Sequence, residues 1–140
     1  MPSTLFNHRT MRETSYGFSR EVDLEFSVAV ESAKEALAAN GFGVLTTIDV
    51  KAKMKEKLGE EMDEYIILGA CHPQSAFRAL NEETEIGLLL PCNVIVYRKD
   101  DSTFAAVISP TKAMHMIEKP GLAEVAKAVE ERLKTMLESL

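Results

Sequence analysis

The stretch Tyr65-Ile66-Ile67-Leu68-Gly69-Ala70-Cys71 constrains this chain more than any other. A strand with one wet face alternates apolar and polar residues, and this one does not. It is therefore expected as a strand covered on both faces, or nearly so. At seven residues it falls far short of the ~20 that a membrane-crossing helix needs, and so does the second dense apolar stretch, residues 86–90. Both belong inside a folded domain. The chain has 140 residues, enough for one domain and cramped for two. No Pro-, Gly- or Ser-rich linker and no internal repeat divides it.

The rest of the chain supplies partners for that strand. Residues 1–15 are polar and aperiodic and are expected as an arm outside the core, leaving a single domain over 16–140. Residues 16–24 alternate and predict a strand. Ser27 is the expected cap of a helix bearing Val30, Ala33, Ala36 and Leu37, and Asn40-Gly41 is its stop. Residues 42–48 predict a second strand. Asp49 caps a short helix ending at Gly59. After the central strand, Pro73 opens a helix with Ala76, Phe77 and Leu80 on one face. Residues 86–90 predict a further strand, broken at Pro91, which has no N–H to give a ladder. Residues 92–97 and 103–108 read as a hairpin about the turn 99–102. A short helical turn follows Pro110. The longest helical period then starts at Pro120, with Leu122, Val125, Ala126, Val129, Leu133, Met136, Leu137 and Leu140 on one stripe. The fold class expected is α+β: one two-layer domain, a mixed sheet with helices packed mainly on one face.

Charge and cysteine usage set the function classes aside or keep them. Twenty-two acidic residues against sixteen basic ones leave a net charge of −6, a poor match to a phosphate backbone, so no nucleic-acid partner is expected. Lys51, Lys53, Lys55 and Lys57 are the one dense basic cluster. On a helix they form two ridges rather than one patch, and the plainer reading is a solvated face. Two cysteines do not make a secreted framework and no signal-peptide core is present, so a cytoplasmic setting with reduced thiols is expected, and no membrane. Phosphate-cradling glycine loops, the G-x-S-x-G elbow and H-E-x-x-H do not occur. Gly41-Phe42-Gly43 follows a helix and opens a strand, the reverse of a dinucleotide fingerprint.

Several segments together resemble the domain-of-unknown-function family number 302. They are Gly41-Phe42-Gly43-Val44-Leu45-Thr46 with Ile48-Asp49-Val50-Lys51, then Ile67-Leu68-Gly69-Ala70-Cys71-His72-Pro73. Ile86-Gly87-Leu88-Leu89-Leu90-Pro91-Cys92-Asn93-Val94 and residues 110–114 complete the set. The resemblance runs over about residues 16–137. It implies a small α+β fold, usually cytoplasmic or attached to other modules in bacteria and archaea and often homodimeric, and implies no activity. Where the family commonly has Asn after the first cysteine, this chain has His72.

Cys71 and Cys92 are the sharpest candidates for chemistry. Each lies at an expected strand boundary, Cys71 also just before a helix N-terminus, where peptide dipoles favour a thiolate. His72, when protonated, would add a positive charge. The plainer reading is that both cysteines are small buried apolar residues. Cys71, His72, Cys92 and His115 make up a Cys2His2 donor set of the type zinc accepts. The adjacency of 71 and 72 argues against it, because neighbours in an extended chain point to opposite faces. Met114 and Met116, flanking His115, read as helix packing. Lys51, beside Asp49 at a strand end, is a candidate for an anionic small molecule. The sequence thus leads to a homodimeric binding module. Its small-molecule site is expected at Cys71, His72, Cys92 and Lys51, with Cys71, His72 and Cys92 as the metal-ligand candidates. The alternative is a thiol-dependent redox enzyme using Cys71 and Cys92. Neither a reaction nor a cofactor is specified.

Overall fold

A computed structural model describes residues 10–140. The strands are β1 (Arg12–Glu13), β2 (Gly17–Val22), β3 (Gly43–Asp49), β4 (Tyr65–Cys71), β5 (Cys92–Lys99) and β6 (Ser102–Ile108). The helices are α1 (Phe26–Ala39), α2 (Val50–Leu58), α3 (Pro73–Glu82), α4 (Pro110–Ala113) and α5 (Pro120–Glu138), with a 3-10 helix over Thr84–Leu89.

Local chemistry accounts for most boundaries. Asp49 accepts a hydrogen bond from the Ala52 amide at 2.9 Å and so caps α2, while Gly59 ends it at φ +69°. Gly41 ends α1 at φ +87°. The β5–β6 hairpin turns through Asp100 and Asp101, both at positive φ, as a two-residue turn matched to strand twist requires. Two expectations shift. The first helix starts at Phe26, and Ser27, expected as its cap, lies inside it with its hydroxyl donated to Glu25. Residues 86–90 are not a strand: Ile86 and Leu90 donate to carbonyls three residues back, at 3.0 and 3.2 Å, closing 3-10 turns. Because β4 and β5 pair directly, no strand edge between them is open to that segment.

The sheet order is β1-β2-β6-β5-β4-β3, and all five pairings are antiparallel. The α+β two-layer reading stands, but the sheet expected as mixed is antiparallel throughout. Segment 59–64 returns the chain after α2 to the end of the sheet where β3 finished, which makes β4 antiparallel to β3. Of the arm expected over 1–15, Arg12–Glu13 adds an edge strand to β2, and residues 1–9 lie outside the described residues. One face of the sheet packs on α1 and α5: Leu68, Val94, Val96, Ala105 and Val107 meet Ala33, Leu37, Leu122, Leu133 and Met136, all buried. Among the described residues no helix is long and apolar enough to cross a membrane.

Candidate functional site

Antiparallel pairing of β4 and β5 decides what happens to the cysteines. Ala70 is the register partner of Cys92, so the last residue of β4 and the first of β5 come to the same end of the sheet. Both are free thiols; Cys92 is buried and Cys71 half-buried. They line one cavity of about 280 Å³ between this end of the sheet and helices α3 and α5. Small side chains leave the space open: Ala70 from β4, Ala76 and Ala79 from α3, and Ala126 from α5. Val125 and Val129 close it from α5, and Met114 and Pro110 from the α4 turn. At the mouth stand Leu80, Leu90 and Leu45. Leu45 reaches the cavity because the β3–β4 register slips between Val44 and Thr46, leaving it as the extra residue of a bulge.

His72 is the polar edge of this cavity. It is the N-cap residue of α3, and its Nδ1 lies 2.8 Å from Ser75 Oγ. Its ring meets Phe42 edge-on at 5.7 Å. Gly41 makes room for it, since a Cβ there would sit 3.0 Å from His72 Cδ2 in a backbone that already needs positive φ. Burial, and then the nearby Arg132 guanidinium, push the imidazole below its ordinary value of 6.5. It is therefore neutral at pH 7 and supplies no positive charge to Cys71. The Cys92 thiol is pushed from 9.0 up to about 11, first by burial and then by the neighbouring Cys71. Cys92 is accordingly a protonated, apolar group at neutral pH.

One wall is held by a carboxylate. Glu130 on α5 accepts hydrogen bonds from Ser109 Oγ at 2.6 Å, Thr111 Oγ1 at 2.7 Å and the Thr111 amide at 3.1 Å. Burial opposes its charge, but these bonds and Lys134 hold it below the usual carboxylate value. Pro110, between the two donors, is thereby fixed against the cavity.

The other candidates are elsewhere. Lys51 lies in the first turn of α2, beyond Asp49, which pairs with Ile66 near the start of β4, whereas Cys71 ends that strand. At about 3.3 Å per residue this is the far end of the sheet. Its Nζ donates to the Met62 carbonyl at 2.9 Å, tying down segment 59–64. His115 does not line the cavity, whereas Met114 does. Among the described residues no three His, Cys, Asp or Glu side chains group as a metal site needs. Sequence reasoning missed Leu45 and the alanine clearing. The signal for the clearing is the pair Ala76 and Ala79, which share one face of α3.

The sequence profile described as "Domain of unknown function DUF302" matches residues 18–140. The chain belongs to this family. A crystal structure of an uncharacterized conserved DUF302 protein from Bacillus stearothermophilus superposes on it with a TM-score of 0.83 at 33% identity, covering 89% of this chain and 97% of that one. No match was found among curated proteins. The DUF302 sheet and helices are thus shared with that relative, and the family assigns no reaction to the cavity.

Proposed function

We propose that this DUF302 chain is a cytoplasmic, homodimeric small-molecule-binding module whose ligand occupies the cavity at Cys71, His72 and Cys92. The observation that supports this reading is the cavity itself: 280 Å³ of space framed by alanines and valines, where a core would ordinarily be filled. Its walls suit a neutral, apolar molecule of one or two rings, with the His72 edge and the half-buried Cys71 as its polar corner. Lys51 is not part of this site. Nucleic acid has no place in the reading, given the net charge of −6.

The test is a titration with indole and p-xylene, read by thermal melting and by NMR shifts of the lining methyl groups. Saturable stabilisation is expected, reaching about 2.7 kcal/mol at a hundred times the dissociation constant. Ala76→Leu, which fills the cavity from α3, should abolish it. No stabilisation of the wild type up to the solubility limit, or equal stabilisation of the filled variant, would sink the reading.

Thiol-dependent redox chemistry is the second reading, favoured by the convergence of Cys71 and Cys92 on one cavity. It is the weaker of the two because a thiol pushed up to about 11 is a poor source of thiolate at neutral pH. A metal held by Cys71, His72 and Cys92 is weaker still, since His72 Nδ1 is already engaged with Ser75.

A further inference from the structure

The sheet face turned away from α1 and α5 carries a second hollow. One row of register partners crosses four strands there: Arg12 on β1, Ser19 on β2, Ala106 on β6 and Ile95 on β5. Side chains two apart along a strand share a face, so Gly17 joins Ser19 and Tyr97 joins Ile95. Three small residues, Gly17, Ser19 and Ala106, therefore adjoin one another between long ones. They floor a groove of about 310 Å³, walled by Ile95 and Tyr97 on one flank, by Arg12 on the other and by Tyr16 at its end. Gly17 is held small, since a Cβ there would fall 2.5 Å from the Val107 carbonyl oxygen.

Two polar groups meet this groove without partners of their own. Ser19 is only 8% exposed, and its hydroxyl makes no hydrogen bond among the described residues. No sealed side-chain oxygen among the described residues lacks a partner, so the Ser19 oxygen opens onto the groove. A hydroxyl in so buried a residue is costly to leave unbonded unless water or a ligand meets it. Arg12 has neither an ion pair nor a side-chain hydrogen bond among the described residues. Burial raises the Tyr97 phenol, and Arg12 opposes that rise, which brings the guanidinium charge across the groove toward the Tyr97 hydroxyl. Tyr16, 72% exposed, acts on the same phenol. Neither nearby carboxylate competes: Glu13 is paired with Lys112 at 2.6 Å, and Glu21 stands one row beyond Ser19 without lining the groove.

A single guanidinium in a chain of net charge −6 suits a singly charged anion better than a phosphate, and its planar fork matches a carboxylate. The floor of small residues admits a flat ring, which the exposed Tyr16 ring can cover by stacking. Tyr97 offers only its edge, because Tyr65 at 5.6 Å and Phe104 at 5.3 Å take its two faces. We propose that this groove is a second binding site, taking a one-ring aromatic carboxylate whose ring lies on Ala106 beneath Tyr16 and whose carboxylate meets Arg12 and the Ser19 hydroxyl. This goes beyond the cavity at Cys71 and Cys92, which lies on the helix-covered side of the sheet, and the two stand or fall separately.

The test is calorimetric titration of the full chain with benzoate, alongside NMR shifts of the Ala106 methyl and the Tyr16 ring. Saturable binding of one benzoate per chain is expected, with both signals moving. Acetate, which lacks the ring, and benzyl alcohol, which lacks the charge, should each bind roughly ten-fold more weakly or worse. Arg12→Gln should likewise cost roughly ten-fold in affinity, and Ala106→Leu, which fills the floor, should abolish binding. Ala76→Leu, which fills the cavity from α3, should leave benzoate binding unchanged. The proposal is overturned if benzoate does not saturate, or if Arg12→Gln binds it as tightly as the wild type. It is equally overturned if Ala76→Leu removes the binding, which would assign benzoate to the cavity. Affinity that falls as protein concentration rises would give the groove to a second copy of the chain and overturn it too. Arg12 is exposed on an edge strand, so its variant decides the matter even where Ala106→Leu does not fold. Benzoate bound without any indole binding would sink the cavity reading and leave the groove standing.

Discussion

Burying the Cys92 thiol in an apolar wall should make the protein lose stability at alkaline pH, and the loss can be worked out. The native value is about 11, against 9.0 for an ordinary thiol. Below pH 9 the thiol is protonated in both native and unfolded chains, and the full contribution of its burial is present. As pH rises from 9 to 11 the unfolded chain releases the proton while the native chain holds it, so the balance tilts toward unfolding. Above 11 both are ionised and the loss is complete. Two pH units correspond to about 3 kcal/mol, a large part of the 5–15 kcal/mol typical of a domain. The comparison is wild type against Cys92→Ala, by urea unfolding under reductant from pH 7 to 11. Removing one buried methyl-sized group should make the variant about 1 kcal/mol less stable at pH 7. The gap should close as pH passes 9 and reverse by pH 11, with the variant then the more stable. Groups common to both proteins, Tyr97 among them, cancel in the difference. A gap that stays constant over this range would refute the assignment of Cys92 to an apolar wall. Cys71→Ser should shift the crossing only slightly, because burial outweighs the Cys71 charge as a cause.

Two further outcomes follow from contacts around the cavity. Glu130→Ala removes the acceptor of three hydrogen bonds and leaves the Ser109 hydroxyl, in a fully buried residue, without it. A loss of about 2–4 kcal/mol is expected in denaturant unfolding, with weaker indole binding as Pro110 loosens; a change under 1 kcal/mol would count against the carboxylate as a tie. Gly69→Ala would drive a Cβ into Thr46 Oγ1 and to 2.9 Å from Pro91 Cγ. It should be clearly destabilising, by about 1–3 kcal/mol, and Thr46→Ala should restore part of the loss, an interaction that a double-mutant cycle measures.

The elements legible in the sequence are those whose own chemistry sets their limits. The unbroken stripe from Leu122 to Leu137 is α5, and Asp49 and Gly59 mark both ends of α2. What escaped was decided by pairing rather than by local pattern. Residues 86–90 are as apolar as a strand, but β4 and β5 already occupy each other's edges, so the segment coils. Arg12–Glu13 is too short to show a period. The convergence of Cys71 and Cys92 was legible as strand ends beside prolines, yet their meeting depended on the Ala70–Cys92 register. Lys51 sits in as family-like a stretch as the cysteines do, but at the far end of β4, and linear adjacency to a motif does not reveal which end of a sheet it serves. The strand at 65–71, expected to be covered on both faces, has described cover on one.

The strand order also dictates when the sheet can be completed. Val22 pairs with Thr103 and Gly17 with Ile108, so β2 gains its inner neighbour only once residues 103–108 exist. The central hairpin β5–β6 closes through a two-residue turn, a contact of the most local and rapid kind. A chain leaving the ribosome therefore carries the apolar β4 without β5 until residues 92–99 emerge, and β2 without β6 until residues 102–108 do. The hairpin is the centre of the sheet, and a chain truncated before residue 92 lacks both strands on which β2 and β4 find their inner neighbours.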